Sequence, residues 1–73
     1  MRLSHFLPGQ SGKIIQVKSD GSVGQRLMEM GLFEGADVKV VRIAPLGDPM
    51  EVEVQGYRLS LRKVEAERVE VEP

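Results

Sequence analysis

Residues 44–63 read APLGDPMEVEVQGYRLSLRK, and the alternation inside this run decides the fold. Over residues 50–54 the apolar Met50, Val52 and Val54 alternate with Glu51 and Glu53. Over residues 57–62, Tyr57, Leu59 and Leu61 alternate with Arg58, Ser60 and Arg62. A period of two marks strands with one buried face. A two-residue loop at Gln55 and Gly56 sets Val54 against Tyr57, Val52 against Leu59 and Met50 against Leu61, with Glu53 opposite Arg58 on the outer face as an exposed cross-strand pair. A three-residue loop sets Glu53 against Tyr57 and mixes the faces. A slip of one residue turns a whole apolar set to water, so the matched register is the expected one. Gln-Gly is a weaker turn signal than Asn-Gly because Gln tolerates positive φ poorly. The pattern, more than the turn, therefore sets the register.

Around this hairpin the chain has room for little else. Its 73 residues allow one domain, residues 1–73, with a core that at this size rarely supplies more than about 3–5 kcal/mol. There is no cysteine, which removes disulfides and thiolate metal sites. Eight glycines and four prolines among short Val and Ile runs suit short strands joined by tight turns, as in a small barrel. Ten Lys plus Arg against eleven Asp plus Glu leave a net charge of −1, which gives no global attraction to phosphate backbones or anionic lipid. No run approaches the roughly 20 apolar residues of a membrane span, and MRLSHFLPGQSG is no signal peptide. A soluble, cytoplasmic protein is expected.

In chain order, Leu3, Phe6 and Leu7 precede Pro8-Gly9, with Ser4 as the cap of a single helical turn, and read as a lid segment. Residues 13–18 (KIIQVK) suit a first strand with Ile15 and Val17 inward, ended by Asp20-Gly21. Residues 22–31 are expected to be helical. Ser22 and Gln25 make a capping-box pattern, Val23, Leu27 and Met30 share a face, and Gly31 suits a left-handed stop with Leu32 touching Leu27. In residues 37–43 (DVKVVRI) the inward phase shifts between Val40 and Val41. A bulge there lets one strand serve two faces. Two prolines and a glycine stiffen the loop 44–49, a helical turn follows over residues 63–67, and Val69 and Val71 point inward from a last strand. The expected fold is mainly β, an SH3-like barrel of about five strands with one short α-helix between the first and second.

Catalytic signatures are missing: one His, no Ser-His-Asp set, no P-loop, no zinc-helix spacing. His5 lacks a second His or Cys partner and reads as a surface residue, so no metal ligand, cofactor or catalytic residue is assigned. Asp48 is expected to accept a hydrogen bond from loop backbone. Arg58, Arg62 and Lys63, with Arg42, read as a solvated face balanced by Glu51 and Glu53, or as a docking face for an acidic surface. Nucleic-acid binding ranks below both, because stacking aromatics are scarce. The apolar residues without an inward slot are Met28, Leu32, Phe33 and Leu46. If the helix end abuts the proline loop they form a partner-binding patch, with Arg26 and Arg58 beside it.

The run RLMEMGLFEGADVKVVRIAPLGDPMEVEVQGYRLSLRKVEA, residues 26–66, resembles the FeoA family of small cytosolic proteins. The most specific pieces are Gly31-Leu32 with Gly35, the run from Ala44 to Pro49, Gly56, and Leu61-Arg62-Lys63 with Glu65-Ala66; Glu34 stands where many relatives place proline. A related SH3-like domain ends the iron-dependent repressors. The resemblance covers nearly the whole chain. It implies a non-catalytic adaptor or regulator of ferrous-iron uptake that binds the cytosolic nucleotide-binding domain of the FeoB transporter and is recruited by it to the inner face of the membrane. A small nucleic-acid or ribosome-associated barrel and a stand-alone metal-regulator-type interaction domain are the alternatives. The Val-rich edge strands near the termini allow a weak homo-oligomer by pairing between copies, or the charged Glu70 and Glu72 prevent it, and the sequence leaves both open.

Overall fold

The chain folds as β1 (Ser11–Val17), α1 (Ser22–Glu29), β2 (Asp37–Ile43), β3 (Met50–Val54), β4 (Tyr57–Leu61), α2 (Lys63–Ala66) and β5 (Val69–Glu72), with a 3₁₀ turn at Leu3–His5, in a computed structural model described here over residues 1–18 and 21–73. All strand pairs are antiparallel, in the order β4-β3-β2-β1-β5. The hairpin has the expected register, with Val54, Val52 and Met50 opposite Tyr57, Leu59 and Leu61, and Glu53 opposite Arg58. Both loop residues have positive φ, Gln55 at 53° and Gly56 at 80°, the arrangement whose twist matches that of the flanking strands. Met50, Val52, Val54 and Leu61 are buried and Leu59 packs partly against them. Tyr57 departs from the inward expectation and is exposed. It is the first residue of the edge strand β4, next to the turn, and its hydroxyl donates to the carbonyl of Met30.

Two bulges bend the sheet. In β2 the pairing with β3 shifts between Val40 and Arg42, so Val41 is the extra residue where the apolar phase changes. A second bulge overturns the expected phase of β1. The pairing with β5 shifts between Ile14 and Gln16, which leaves Ile15 exposed and buries Ile14 completely. Val17 regains the inner side and packs against the core. Gly12 lets β1 and β5 close together, since a Cβ there would stand 2.5 Å from the carbonyl oxygen of Glu72.

The N-terminal segment is part of the core and not a lid. Leu3 and Phe6 are 0% and 1% exposed, because a barrel this small needs a plug at its open side. The segment is tied to β5 by a bridge between Arg2 and Glu70 and by a hydrogen bond from the Val71 N–H to the Met1 carbonyl (2.7 Å). Ser4 does not cap the turn. The cap position is Arg2, without a side-chain bond, and Ser4 Oγ is buried with no partner.

Helix α1 ends as expected and begins otherwise. Gly31 has φ 100°, the Leu32 N–H reaches the Leu27 carbonyl (3.0 Å) and the Gly31 N–H reaches that of Met28 (3.1 Å), the two bonds of a Schellman stop. At the other end the cap position is Gly21, with no side-chain bond, so the Ser22 capping box does not form. Asp20, expected to help end β1, lies outside the described residues. Gly24 and Leu27 are buried, and Val23 and Met30 pack against the core.

Helix α2 is fastened by a residue that pattern reading passed over. Glu65 is 7% exposed. Its Oε1 accepts the Arg62 N–H at 2.8 Å, and its Oε2 stands 3.6 Å from Arg26 Nη2 on α1. A carboxylate three residues after a cap position reaches back in this way to an N–H that the helix leaves without a partner.

Two sets of substitutions test these placements by urea unfolding. Ile14→Ala is expected to cost about 2–5 kcal/mol and Ile15→Ala less than about 1 kcal/mol; equal costs contradict the bulge. Glu65→Ala is expected to cost about 1–3 kcal/mol, because it strands the partly buried Arg62 N–H. Arg26→Ala should cost no more than about 1 kcal/mol, since its guanidinium is largely in water.

Candidate docking surfaces

The core takes one of the four apolar residues left over by the barrel pattern and exposes three. Leu32 is 0% exposed, which corrects its place in the expected patch. The Schellman stop turns it inward with Leu27, both in the core cluster. Met28 (45%) and Phe33 (41%) stay open on either side of it. Met28 lies in the last turn of α1 and Phe33 just after its stop, and Tyr57, 46% exposed, reaches the same helix end through its bond to the Met30 carbonyl. Gly31 makes this approach possible. A Cβ on it would lie 2.8 Å from the Tyr57 hydroxyl and 3.2 Å from Gln55 Cγ.

Leu46 belongs elsewhere. Phe33 precedes β2 and Leu46 follows it, so the helix end and the proline loop sit at opposite ends of that strand and do not abut. The hairpin shows the same separation: α1 meets it at Tyr57, whereas the loop meets the chain beyond β4, where Asp48 Oδ1 accepts the Lys63 N–H at 3.0 Å. Asp48 thus does accept a backbone hydrogen bond, but from the start of α2 and not from its own loop. The loop closes on itself through Gly47 N–H to Ala44 carbonyl (2.7 Å) and Ala44 N–H to Pro49 carbonyl (3.0 Å), and holds Leu46, 97% exposed, at its tip. Val64, 67% exposed on α2, follows the residue that anchors the loop.

The two arginines of the expected site are already engaged. Arg26 pairs with Glu65 while keeping 67% of its side chain exposed. Arg58 pairs with Glu51 (4.0 Å), which also holds Arg42 at 3.2 Å. The Glu53–Arg58 ion pair expected from the register does not form, because the diagonal Glu51 takes Arg58. Sequence reasoning missed Tyr57 and Val64 as surface residues. The signal for Tyr57 was its place at the turn end of an edge strand, where a ring with a polar tip can sit at the surface. His5 is exposed, and among the described residues no three His, Asp or Glu side chains gather to hold a metal ion. No helix among them is long and apolar enough to cross a membrane.

Comparison with known proteins agrees with this architecture. The family model for the FeoA domain matches residues 1–73. An Fe(2+) transport protein A/Fe(2+) transporter FeoB fusion protein of Porphyromonas gingivalis is 39% identical over 72 residues, which make up 99% of this chain and 8% of that protein. The chain therefore spans less than a tenth of that relative. The structure of an FeoA-like protein from Clostridium acetobutylicum superposes with a TM-score of 0.93 at 33% identity, over 99% of this chain and 84% of that one. Stenotrophomonas maltophilia FeoA complexed with zinc, described as a procaryotic SH3 domain protein, has a TM-score of 0.86 at 33% identity, over 99% of this chain and 89% of that one. By its family match over every residue and by its SH3-like barrel, the chain belongs to the FeoA domain family.

Proposed function

We propose that this chain is a non-catalytic adaptor of ferrous-iron uptake that docks on the cytosolic nucleotide-binding region of an FeoB-type transporter through the end of α1. The observation that carries this reading is the Porphyromonas gingivalis relative, in which the region matching this chain is part of one polypeptide named as an Fe(2+) transport protein A/FeoB fusion. Covalent linkage raises the effective concentration of two modules that work together. The barrel's contribution is a rigid platform. Met28, Phe33 and Tyr57 are exposed around a turn that the Schellman bonds, Gly31 and the Tyr57 hydroxyl hold in place. Side chains ordered before binding lose less entropy on binding, and aromatic anchors surrounded by polar groups are what interface centres use. Arg26 and Arg58, exposed beyond their pairing with Glu65 and Glu51, supply a polar rim.

The test is retention of the chain by the immobilised cytosolic domain of FeoB. The parent chain should be retained. Phe33→Asp and Met28→Asp should each weaken binding by about tenfold or more, the effect of losing about 1.4 kcal/mol. Leu46→Asp, at the far end of β2, should weaken it less. No retention of the parent overturns the docking function, and unchanged retention of Phe33→Asp together with Met28→Asp overturns the surface.

A further inference from the structure

The two outer strands of the sheet are finished differently. β5 is covered by the chain's own N-terminus, where Arg2 bridges to Glu70 and the Val71 N–H bonds the Met1 carbonyl. β4 pairs with β3 and, among the described residues, with no other strand. In an antiparallel ladder, alternate residues turn their N–H and C=O toward the same neighbour. The two-residue loop makes Val54 and Tyr57 the first bonded pair, so Tyr57, Leu59 and Leu61 bond to β3, while Arg58 and Ser60 turn their backbone groups to the free edge. Both residues are exposed, and no hydrogen bond among the described residues reaches their backbone from another element. The open stretch is also bounded. Gln55 and Gly56 are taken up by the turn, the Arg62 N–H by Glu65 Oε1 and the Lys63 N–H by Asp48 Oδ1.

We propose that this edge pairs with the same edge of a second copy of the chain, antiparallel, with Arg58 of each copy opposite Ser60 of the other and the two-fold axis at Leu59. The occupant is a second copy because the edge is complementary to itself in one register. There, each Arg58–Ser60 pair exchanges both of its N–H···O bonds, and each arginine faces a neutral hydroxyl. Sliding by two residues one way sets Arg58 against Arg58, and the other way sets Arg58 against Arg62, whose N–H is already engaged; like charges directly opposite destabilise both. A slide by one residue mixes the faces and brings bonding groups against non-bonding ones. Charged side chains on an edge ordinarily discourage pairing, but Arg58 is held on the outer face by Glu51 (4.0 Å). On the inner face Leu59, only half-buried in the single chain, meets its counterpart at the closely spaced non-bonded position, where apolar side chains cover each other. The inference rests on the backbone of β4 and not on docking at the end of α1.

The test uses the chain alone. Sedimentation over about a hundredfold range of protein concentration should show monomer passing into dimer. Amide exchange at Arg58 and Ser60 should slow several-fold over the same range, while that at Leu46 stays unchanged. Ser60→Glu, which sets a carboxylate against Arg58 of the other copy, should tighten the dimer several-fold, and Ser60→Arg should weaken it by a similar factor. Within one chain the two substitutions act in the opposite sense, because Ser60 stands opposite Glu51. Ser60→Glu should therefore lower the melting temperature of dilute protein slightly and Ser60→Arg raise it, so a dimer that merely followed the stability of the fold would respond with the wrong sign. Three results overturn the proposal: monomer at every concentration, dimer formed without slower exchange at Arg58 and Ser60, or a dimer tightened by Ser60→Arg.

Discussion

Extra residues at Ile15 in β1 and Val41 in β2 allow one five-stranded sheet to wrap around a single core. A strand with strict alternation can bury only one face, and a small flat sheet leaves most of its apolar surface in water. Each bulge bends its strand and resets which side is inward. β1 consequently pairs with β2 through residues 11–13 and with β5 through residues 13–17, changing partners along its length. Gly12 sits at the handover, where a side chain would strike the backbone of Glu72. The resulting core is closed by the 3₁₀ turn, with Leu3 and Phe6 as its plug.

The same constraint explains which parts were legible from residues alone. The β3–β4 register could be read because Glu and Arg alternate with Val and Leu, and any other register mixes them. The Val41 bulge was legible because two adjacent valines break a polar alternation. Ile14 and Ile15 hid their bulge, since either isoleucine satisfies a β-branched run. The plug was hidden for another reason: Leu3 and Phe6 are too few to show a period, and their burial follows from where the barrel is open, a tertiary fact. Capping read at Ser22 failed while the reciprocal contact at Glu65 went unnoticed, because the usual pattern looks first for a short polar residue at the cap, and Arg62 occupies it.

The candidate site was half legible. Met28 and Phe33 were found by exclusion from the barrel's inward faces, and both are exposed. Leu32 and Leu46 shared that property in the sequence and part company in three dimensions, one drawn into the core by the helix stop, the other carried to the far end of β2. Tyr57 stands at the helix end instead, at the turn end of the edge strand β4, with its hydroxyl on the Met30 carbonyl. Folding therefore accounts for most of the apolar residues, and those it leaves exposed include Met28 and Phe33 by the end of α1 and Leu46 in the loop that Asp48 pins to α2.

The most direct measurement is a titration of the isotope-labelled chain with the purified cytosolic domain of an FeoB transporter, followed amide by amide. Docking at the end of α1 requires saturable changes over residues 28–33 and at Tyr57, with residues 45–47 unmoved. Changes centred on Leu46 and Val64, or none at saturating concentrations of the transporter domain, contradict it.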